Sequence, residues 1–329
     1  ALLTHSCTAA LEMAALLTEI KSGDEVILPS YTFVSTANAF VLRGAIPVFV
    51  DIDADTLNID PSKIESSLTS KTKVIIPVHY AGVSCDMDKI MNIARKNKLF
   101  VIEDSAQGYG SKYKNQNLGT IGDLGALSFH ETKNLISGEG GALLINKNKY
   151  IDKAEIIREK GTDRKKFTRG KVDKYTWQSL GSSYLPSELV TSFLFGQLEM
   201  SNYIKKERMI IWDFYYKSTS NLENEGYVKR PFIPRDCEHN AHMFYLILRK
   251  DINRNSLIKK FREVDINLTF HYVPLHTSPA GQKFGRYNEK LVNTDYLSRR
   301  IVRLPLWVGL TKKELERIIY YLYKFLKKK

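Results

Sequence analysis

The sequence predicts an α/β protein with a mainly parallel sheet flanked by helices, followed by a smaller C-terminal α+β domain. In the first half of the chain, short apolar runs rich in Val and Ile alternate with segments of helical periodicity. This β-α-β-α order favours parallel strands joined by helices that cover the sheet. Beyond about residue 187 the helical segments become longer and the strand-like runs fewer. We therefore expect a large domain at residues 1–200 and a small domain at residues 201–329.

The elements of the large domain are predicted in chain order. The opening segment, ALLTHSCTAALEMAALL, is typical of a core element, so we expect that an N-terminal segment is missing from this sequence. Asp60 before Pro61 is typical of a helix start and indicates that DPSKIESSLT is helical, as TANAFVLRG and CDMDKIMNIARKNK are expected to be. Buried strands are predicted from the apolar runs EVILP, IPVFVDI, KVIIPVHY, LFVIED, GALSFH and GALLIN.

The small domain is predicted to mix helices and strands. A long helix over SELVTSFLFGQLEMSNYIKKERMIIWDFYYKSTS, with a break near Asn202, leads into the strand NAHMFYLILR. The helix RNSLIKKFREVDI and the strand INLTFHYV follow. The chain closes with an amphipathic helix over TKKELERIIYYLYKFLKKK, for which Thr311 is the expected N-cap.

Composition excludes several classes of protein. The chain has 329 residues, of which 43% are hydrophobic and 26% charged, as in ordinary globular proteins. Since no apolar run is long enough to span a membrane, no membrane partner is predicted. The start has no basic leader, and the three cysteines lack the spacing of a disulfide framework or a zinc site. These features predict a cytoplasmic protein.

The charge balance indicates an anionic partner. Lys and Arg total 49 against 36 Asp and Glu, which gives a net charge of +13. The basic residues are spread along the chain, and no recognition helix, zinc finger or RNA-binding signature accompanies them. We therefore expect no nucleic acid, and a carboxylate or nucleotide-linked substrate instead.

Several catalytic motifs are missing. No GxGxxG follows a predicted strand, and no GxxxxGK[ST] occurs, so dinucleotide binding and P-loop phosphoryl transfer are disfavoured. His130 and Glu131 begin a near-match to HExxH, but Asn134 occupies the place of the second histidine. The sequence therefore predicts no metal site.

Polar and aromatic side chains gather at the ends of four predicted strands. In an open α/β sheet, ligands bind at the carboxyl ends of the strands, so these side chains are expected to form one site. They are Tyr31 and Phe33, His79 and Tyr80, Glu103 and Asp104, and Lys133.

Three features of the chain together fit pyridoxal 5′-phosphate (PLP). Residues 6–9 open a helix with small residues whose N–H groups could hold a phosphate, although Ser6 or Thr8 could equally be a plain N-cap. Asp104 ends an apolar strand, where a carboxylate needs either a basic side chain or a protonated pyridine nitrogen. Lys133 is either a solvated loop lysine or the amine that meets the aldehyde, with the nearby glycines letting the backbone pass close to the ring.

An ordered set of segments resembles the sugar-nucleotide aminotransferases of the DegT/DnrJ/EryC1/StrS family. The resemblance implies a PLP-dependent transferase fold of type I, PLP as cofactor and a homodimer with shared active sites. The segments are SCTAALEMAALL, PSYTFVSTANAF, VFVDID, PVHYAG, EDSAQ, SFHETKN and SGEGG, then SSYLPSEL, HMFY, FHYVPLH and SRRIVRLPL.

Two of these segments narrow the expected activity. SFHETKN and GSSYL are similar to a subgroup that transfers the amino group of L-glutamate to C4 of dTDP-4-keto-6-deoxy-D-glucose. The products would be dTDP-4-amino-4,6-dideoxy-D-galactose and 2-oxoglutarate. Amination at C3, formation of the other C4 epimer, or a binding protein that keeps the fold without catalysis all stay open.

The resemblance also implies roles for single residues. Lys133 matches the lysine that the family links to PLP, and Asp104 matches the partner of the pyridine nitrogen; these two are the expected catalytic residues. Glu139 and His242 are expected to be structural. The other expected contacts are Cys7, Thr8, Ala9 and Ser128 near the phosphate, Phe33 on the ring face, Gln107 near the ring hydroxyl, and His271 and Tyr272 on the substrate.

One position departs from the family pattern. Many members have Asn in a segment GxNxRM, with which the partner subunit reaches the phosphate. Ser183 stands in that place here and has a shorter side chain. We expect Ser183 to contact the cofactor of the partner subunit.

Overall fold

The computed structural model describes residues 1–327. Its strands are β1 (Leu2–Thr4), β2 (Glu25–Pro29), β3 (Ile46–Val50), β4 (Thr72–Ile75), β5 (Phe100–Asp104), β6 (Lys112–Tyr113), β7 (Gln116–Asn117), β8 (Leu124–Ser128), β9 (Gly141–Ile145), β10 (Val228–Lys229), β11 (Cys237–Glu238), β12 (Phe244–Leu248) and β13 (Ile301–Leu304). Its α-helices are α1 (Cys7–Leu17), α2 (Val34–Val41), α3 (Met87–Asn97), α4 (Ile151–Arg158), α5 (Arg164–Thr168), α6 (Glu188–Glu199), α7 (Ser201–Ser218), α8 (Ser220–Asn224), α9 (Arg254–Arg262), α10 (Pro279–Phe284), α11 (Val292–Ser298) and α12 (Lys312–Lys327).

A seven-stranded sheet organises the first half of the chain. Its strand order is β1-β9-β8-β5-β4-β2-β3. Only β9 runs antiparallel to its neighbours, β1 and β8, while the other neighbouring pairs are parallel. The mainly parallel α/β sheet predicted from the sequence is therefore confirmed, and all six predicted strands of this half are present.

Helices cover both faces of this sheet, which explains why its strands are continuous apolar runs. Val26 and Leu28 of β2 pack in the core cluster that contains α1, whereas Ile27 between them packs in a second cluster with Ile90 of α3. Each such side chain contributes roughly 1.5–3 kcal/mol when fully buried. With no solvent-facing side, the strands show no polar alternation.

The segment DPSKIESSLT is not the regular helix that the sequence predicts. It forms two short 3₁₀ turns, at Pro61–Lys63 and Glu65–Ser67. The Asp60 side chain caps the first turn by accepting from the Ser62 N–H, as expected. Serine hydroxyls then donate to the Lys63 carbonyl oxygen and compete with the helical hydrogen bonds, which stops the helix from extending.

The second half contains a smaller sheet of order β10-β12-β13 with its own apolar core. The predicted break in the long helix lies at Met200, between α6 and α7. The predicted cap of α12 is confirmed, because Thr311 Oγ1 accepts from the Glu314 N–H while the Glu314 carboxylate accepts from the Thr311 N–H. No helix within residues 1–327 is long and apolar enough to cross a membrane.

The predicted strand INLTFHYV is wrong as a regular element. Within residues 1–327 it forms only a single bridge, between Thr269 and Arg303 of β13. The chain then leaves the sheet edge, because the rings of His271 and Tyr272 stack on each other and pack against Tyr80. This departure carries two side chains of the second half toward the carboxyl ends of the large sheet.

The division into domains at residue 200 stays a prediction. The second apolar core is built from residues between 211 and 326, which fits that division. Leu275 and Leu291, however, pack in the first core beside α1. After entering the smaller sheet at β10, the chain therefore returns to the first half at β11, which pairs with β6, and again at Leu275 and Leu291.

Candidate active site

A cavity of about 920 Å³ lies at the carboxyl ends of the large sheet. It is lined by the start of α1, the end of β5, the loop after β8, the irregular segment at residues 267–272, and β13 with the loop that follows it. Ligands of open α/β sheets bind at this edge. Both halves of the chain thus contribute side chains to one site.

Four of the side chains predicted from the strand ends, Tyr31, His79, Tyr80 and Glu103, do not line this cavity. Of the site residues that the family resemblance implies, all but two line it. Ala9 is buried, and its N–H donates to Ser6 Oγ at 3.1 Å. Ser183 is exposed in the loop before α6 and bridges Glu159. The roles of Ala9 and Ser183 therefore stay predictions. The cavity brings together Cys7, Thr8, Phe33, Asp104, Gln107, Ser128, Lys133, His271 and Tyr272.

The first turn of α1 has the free donors that a phosphate requires. Ser6 caps the helix, and among residues 1–327 the backbone N–H groups of Cys7 and Thr8 have no acceptor. Thr8 Oγ1 shares a hydrogen bond of 2.7 Å with Ser35 Oγ, which holds both hydroxyls at the cavity wall. Free N–H groups and the positive end of the helix dipole favour an anion at this point.

One glycine of the glycine-rich loop, Gly141, is required because the start of α1 packs directly against it. A Cβ at this position would lie 2.4 Å from the Ser6 carbonyl carbon and 2.4 Å from the Cys7 nitrogen. Only glycine therefore lets β9 run past the start of α1. The sequence predicts that the glycines approach the cofactor ring, whereas the close approach of Gly141 is to the helix that would hold the phosphate.

Asp104 is a buried carboxylate without a cationic partner. Its Oδ2 accepts from Thr36 Oγ1 at 2.7 Å, and its Oδ1 accepts from the Ala106 N–H at 3.1 Å. No basic side chain of residues 1–327 lies within ion-pairing distance of it. A buried salt bridge, the simpler interpretation, is therefore not present. Because a buried anion is costly unless it is paired, the carboxylate suits a protonated pyridine nitrogen.

Lys133 lies in the cavity rather than on a solvated loop. It is partly buried, and its Nζ has no hydrogen-bond or ion-pair partner within residues 1–327. Burial lowers the pKa of Lys133, and the positive charge of Arg303 acts in the same direction, while the carboxylate of Asp104 offsets part of the shift. A lowered pKa leaves more of the amine neutral, which is the form that attacks carbonyl groups and accepts protons.

Aromatic and amide side chains complete the wall on which a flat ring could lie. Phe33 is 55% exposed and faces the cavity, so it is not a core residue. Its ring centroid lies 6.2 Å from that of Tyr272. Gln107 is fixed from both ends, since its Oε1 accepts from the Ala81 N–H at 2.7 Å and its Nε2 donates to Tyr272 Oη at 2.8 Å. Burial raises the pKa of Tyr272, which keeps its hydroxyl protonated.

His271 is held in place by two neighbours. Its Nδ1 lies 2.7 Å from Tyr80 Oη, and its ring stacks on Tyr272 with a centroid separation of 3.7 Å. Burial lowers the pKa of His271, with Arg303 and Lys133 adding to the effect, so the ring is neutral. A neutral imidazole beside Tyr272 presents hydrogen-bonding groups to the cavity.

His242, which the sequence predicts to be structural, also lines the cavity. Asn134 Nδ2 donates to the Asn240 carbonyl oxygen at 2.8 Å, which leaves Asn134 Oδ1 as the acceptor facing His242 Nδ1 at 2.9 Å. Nδ1 must therefore carry the proton. Burial lowers the pKa of His242, so its Nε2 is an unprotonated acceptor. Sequence reasoning also missed Thr36, Asn267 and Arg303, which line the same cavity.

The comparisons with known proteins give the family. The protein-family model of the DegT/DnrJ/EryC1/StrS aminotransferase family matches residues 1–323 of this chain. The chain belongs to the DegT/DnrJ/EryC1/StrS aminotransferase family. It is 33% identical over 327 residues to the UDP-4-amino-4-deoxy-L-arabinose–oxoglutarate aminotransferase of Shewanella sediminis, covering 95% of this chain and 83% of that protein. It is 30% identical over 323 residues to the GDP-perosamine synthase of Caulobacter vibrioides, covering 97% of this chain and 84% of that protein.

Solved structures of aminotransferases share the fold. Spr1654 of Streptococcus pneumoniae, in its PMP form, superposes with a TM-score of 0.91 at 26% identity, covering 99% of this chain and 87% of that chain. An aminotransferase from Psychrobacter cryohalolentis gives 0.91 at 27% identity, covering 98% and 86%. Spr1654 has also been solved in a PLP form. These matches confirm the predicted fold class and PLP as the cofactor of this family.

The residues present fit PLP at each of its polar ends. The free N–H groups of Cys7 and Thr8 would hold the phosphate, and the unpaired carboxylate of Asp104 would hold the ring nitrogen. The Lys133 amine would face the aldehyde. When bound, PLP supplies an aldehyde that takes up an amino group and a ring that withdraws electrons from it. The chain is a PLP-dependent aminotransferase, and the role of Lys133 as the group that moves a proton stays a prediction.

Proposed function

We propose that this enzyme transfers the amino group of L-glutamate to C4 of a nucleotide-linked keto sugar. The substrate proposed first is dTDP-4-keto-6-deoxy-D-glucose, with dTDP-4-amino-4,6-dideoxy-D-galactose and 2-oxoglutarate as products. The observation that carries the proposal is the single cavity in which Lys133, Asp104 and the open start of α1 meet. A binding protein without catalysis would need neither an unpaired buried amine nor an unpaired buried carboxylate.

The relatives support some parts of this proposal more than others. The Shewanella sediminis protein carries 4-amino-4-deoxy and oxoglutarate in its name, which supports amination at C4 and the pair of glutamate and 2-oxoglutarate. The names of the two relatives contain UDP and GDP, so the nucleotide carrier varies among them. The choice of dTDP comes from the similarity of SFHETKN and GSSYL to one subgroup. Another carrier or position is the second candidate.

A turnover assay with a panel of sugars tests the proposal. The PLP-loaded enzyme would be incubated with L-glutamate and, separately, with dTDP-, UDP- and GDP-linked 4-keto sugars and a dTDP-linked 3-keto sugar. We expect the highest kcat/KM with dTDP-4-keto-6-deoxy-D-glucose. The NMR spectrum of the product should show an axial amino group at C4.

Three outcomes would contradict parts of the proposal. A product aminated at C3, or with the opposite configuration at C4, would overturn the assigned position. A clear preference for a UDP or GDP sugar would overturn the carrier. If L-glutamate fails to convert the bound cofactor to its amino form, the assignment of L-glutamate as the amino donor is overturned.

We also infer that the active enzyme is a homodimer whose subunits share active sites. α6 and the loop before it expose large apolar side chains, including Trp177 (78%), Leu189 (84%) and Phe193 (54%). Exposed apolar patches of this kind mark interfaces between proteins. Ser183 lies in the same loop and outside the cavity of its own chain, so any contact with a phosphate must be made in a second copy.

Light scattering and one variant pair test the dimer. We expect a mass twice that of the chain. The Leu189→Asp variant should shift the mass toward the monomer and weaken PLP binding, because it places a charge in the interface. The matched variant Lys250→Asp adds a negative charge in the exposed turn after β12, outside α6 and the loop before it, and should leave the mass unchanged. A monomeric wild-type enzyme with full PLP affinity would contradict the shared site.

A further inference from the structure

Two arginines line the cavity beside Lys133, and in one of them every guanidinium nitrogen already donates a hydrogen bond to the protein. Arg208 donates through Nε to the Ala241 carbonyl at 3.1 Å, through Nη1 to the Leu306 carbonyl at 3.3 Å, and through Nη2 to the His242 carbonyl at 2.7 Å. Its guanidinium therefore ties together three backbone segments of the cavity wall. A ligand would have to compete with these bonds in order to use it.

Arg303 is different, because half of its donor fork is free. Its Nε and Nη2 lie 3.2 and 3.1 Å from Thr269 Oγ1. No carboxylate of residues 1–327 lies within ion-pairing distance of the guanidinium, and Nη1 has no acceptor there. The neutral hydroxyl of Thr269 therefore occupies the edge of the guanidinium that is formed by Nε and Nη2. The outer edge, formed by Nη1 and the second hydrogen of Nη2, is open to the cavity.

The free edge of Arg303 is rigidly placed. Arg303 pairs with Tyr245 of β12, and its N–H donates to the Thr269 carbonyl at 2.7 Å. Thr269 thus fixes both the backbone and the plane of the guanidinium. A planar fork held in this way is suited to a bidentate bond with a carboxylate, which Arg forms in preference to other basic side chains.

The neighbours of Arg303 place it at the reacting end of the cavity. Burial lowers the pKa values of Lys133 and His271, and the charge of Arg303 contributes to both shifts. Arg303, Lys133 and His271 line the same cavity, so the unpaired cation faces the space in which the donor must react. In an amino acid the carboxylates are only a few bonds from the reacting nitrogen. In a sugar nucleotide the diphosphate is attached at C1, across the sugar ring from C4.

We propose that the outer edge of Arg303 binds a carboxylate of the amino donor and so selects an amino acid as the donor. This inference rests on the proposed function, in which L-glutamate is the donor. During the second half of the reaction the same edge can donate to neutral sugar hydroxyls, which accept hydrogen bonds without requiring a counter-charge. Arg303 is therefore a specificity-determining residue that serves two different substrates in turn.

Calorimetric titration of the PLP-loaded enzyme with glutarate tests the inference. Glutarate has both carboxylates of the donor but no amino group, so it binds without reacting. We expect Arg303→Gln to raise the dissociation constant of glutarate about 10- to 100-fold, the effect of losing a hydrogen bond between charged groups. Arg303→Lys should raise it less, because the charge remains and the fork is lost. The control Arg299→Gln removes an exposed charge four residues away and should leave binding unchanged.

A comparison of glutarate with dTDP shows whether Arg303 binds a carboxylate of the donor or the diphosphate of the sugar nucleotide. Titration with dTDP should give the same dissociation constant, within about twofold, for the wild type and for Arg303→Gln. Thr269→Val, which keeps the cation but frees its plane, should weaken glutarate binding in the same direction by a smaller factor. If Arg303→Gln leaves glutarate binding unchanged, or weakens dTDP binding by the larger factor, the inference is overturned.

The outcome can be told apart from a failure of the proposed function. If glutarate binding depends on Arg303 but no keto sugar is aminated, the proposed function falls while the carboxylate site stands. If the wild type aminates a keto sugar with L-glutamate but Arg303→Gln binds glutarate as before, the carboxylate site falls while the proposed function stands.

Discussion

Replacing Lys133 with alanine is expected to lower the turnover of the enzyme by at least about 10²–10⁴-fold, the usual value of a positioned proton-transfer group. No other amine takes its place, since Arg208 and Arg303 stay protonated under all ordinary conditions. The loss should appear in kcat for both halves of the reaction, because each needs a proton moved at the same carbon. The cofactor should still bind, since the free N–H groups at the start of α1 would still hold its phosphate.

Two measurements check this expectation. Single-turnover absorbance with L-glutamate should show that Lys133→Ala no longer converts the cofactor at a measurable rate. Borohydride reduction of the wild type, followed by peptide mapping, should place the cofactor mass on the peptide that contains Lys133. The control Lys147→Ala removes an exposed lysine after β9 and should keep full activity. A cofactor mass on another lysine, or a Lys133→Ala variant with near-normal kcat, would refute the assignment.

The sequence predicts the large sheet well because burial on both faces leaves a strong local signal. The two adjacent carboxylates at the end of β5, Glu103 and Asp104, show what this signal cannot predict. Glu103 points into the opposite side of the sheet, where it accepts from His79 Nε2 at 2.9 Å and from the N–H groups of Ile121 and Gly122, each at 2.6 Å. Burial raises the pKa of Glu103, but these donors hold it below its usual value. Strand alternation says that the two carboxylates face opposite ways and cannot say which one meets the ligand.

The side chains that the sequence did not reveal come from contacts between distant parts of the chain. His242 is oriented by Asn134, 108 residues earlier, and Arg303 by Thr269, 34 residues earlier. Neither pair leaves a periodic pattern, because each lies outside a regular pairing of predicted elements. The bridge from Thr269 to Arg303 replaces the strand predicted at INLTFHYV. Because INLTFHYV is predicted to be a regular strand, neither its irregular path nor its contact with Arg303 could be expected from the sequence.

Asp104→Asn is expected to lower kcat/KM by about 10²–10³-fold while the fold and the cavity persist, a loss typical of removing one preorganised electrostatic contact. The shape of the site is kept because asparagine has the size of aspartate. Thr36 Oγ1 can reverse its hydrogen bond with the new amide, since Thr32 Oγ1 lies 2.8 Å away as an alternative partner. The substitution removes the negative charge that would stabilise a protonated ring nitrogen, and the ring would then withdraw electrons less strongly.

The absorbance spectrum and steady-state kinetics of Asp104→Asn distinguish this loss of charge from a loss of structure. We expect the variant to bind PLP with a changed absorbance band and to keep its thermal unfolding midpoint close to that of the wild type. Thr36→Ser preserves the hydroxyl donor and should change kcat/KM by no more than a few fold. Because Asp104 has no ion-pair partner within residues 1–327, its carboxylate would be available to the ring nitrogen of the cofactor. An Asp104→Asn enzyme within about tenfold of wild-type kcat/KM, with PLP bound, would show that the ring nitrogen does not depend on this carboxylate.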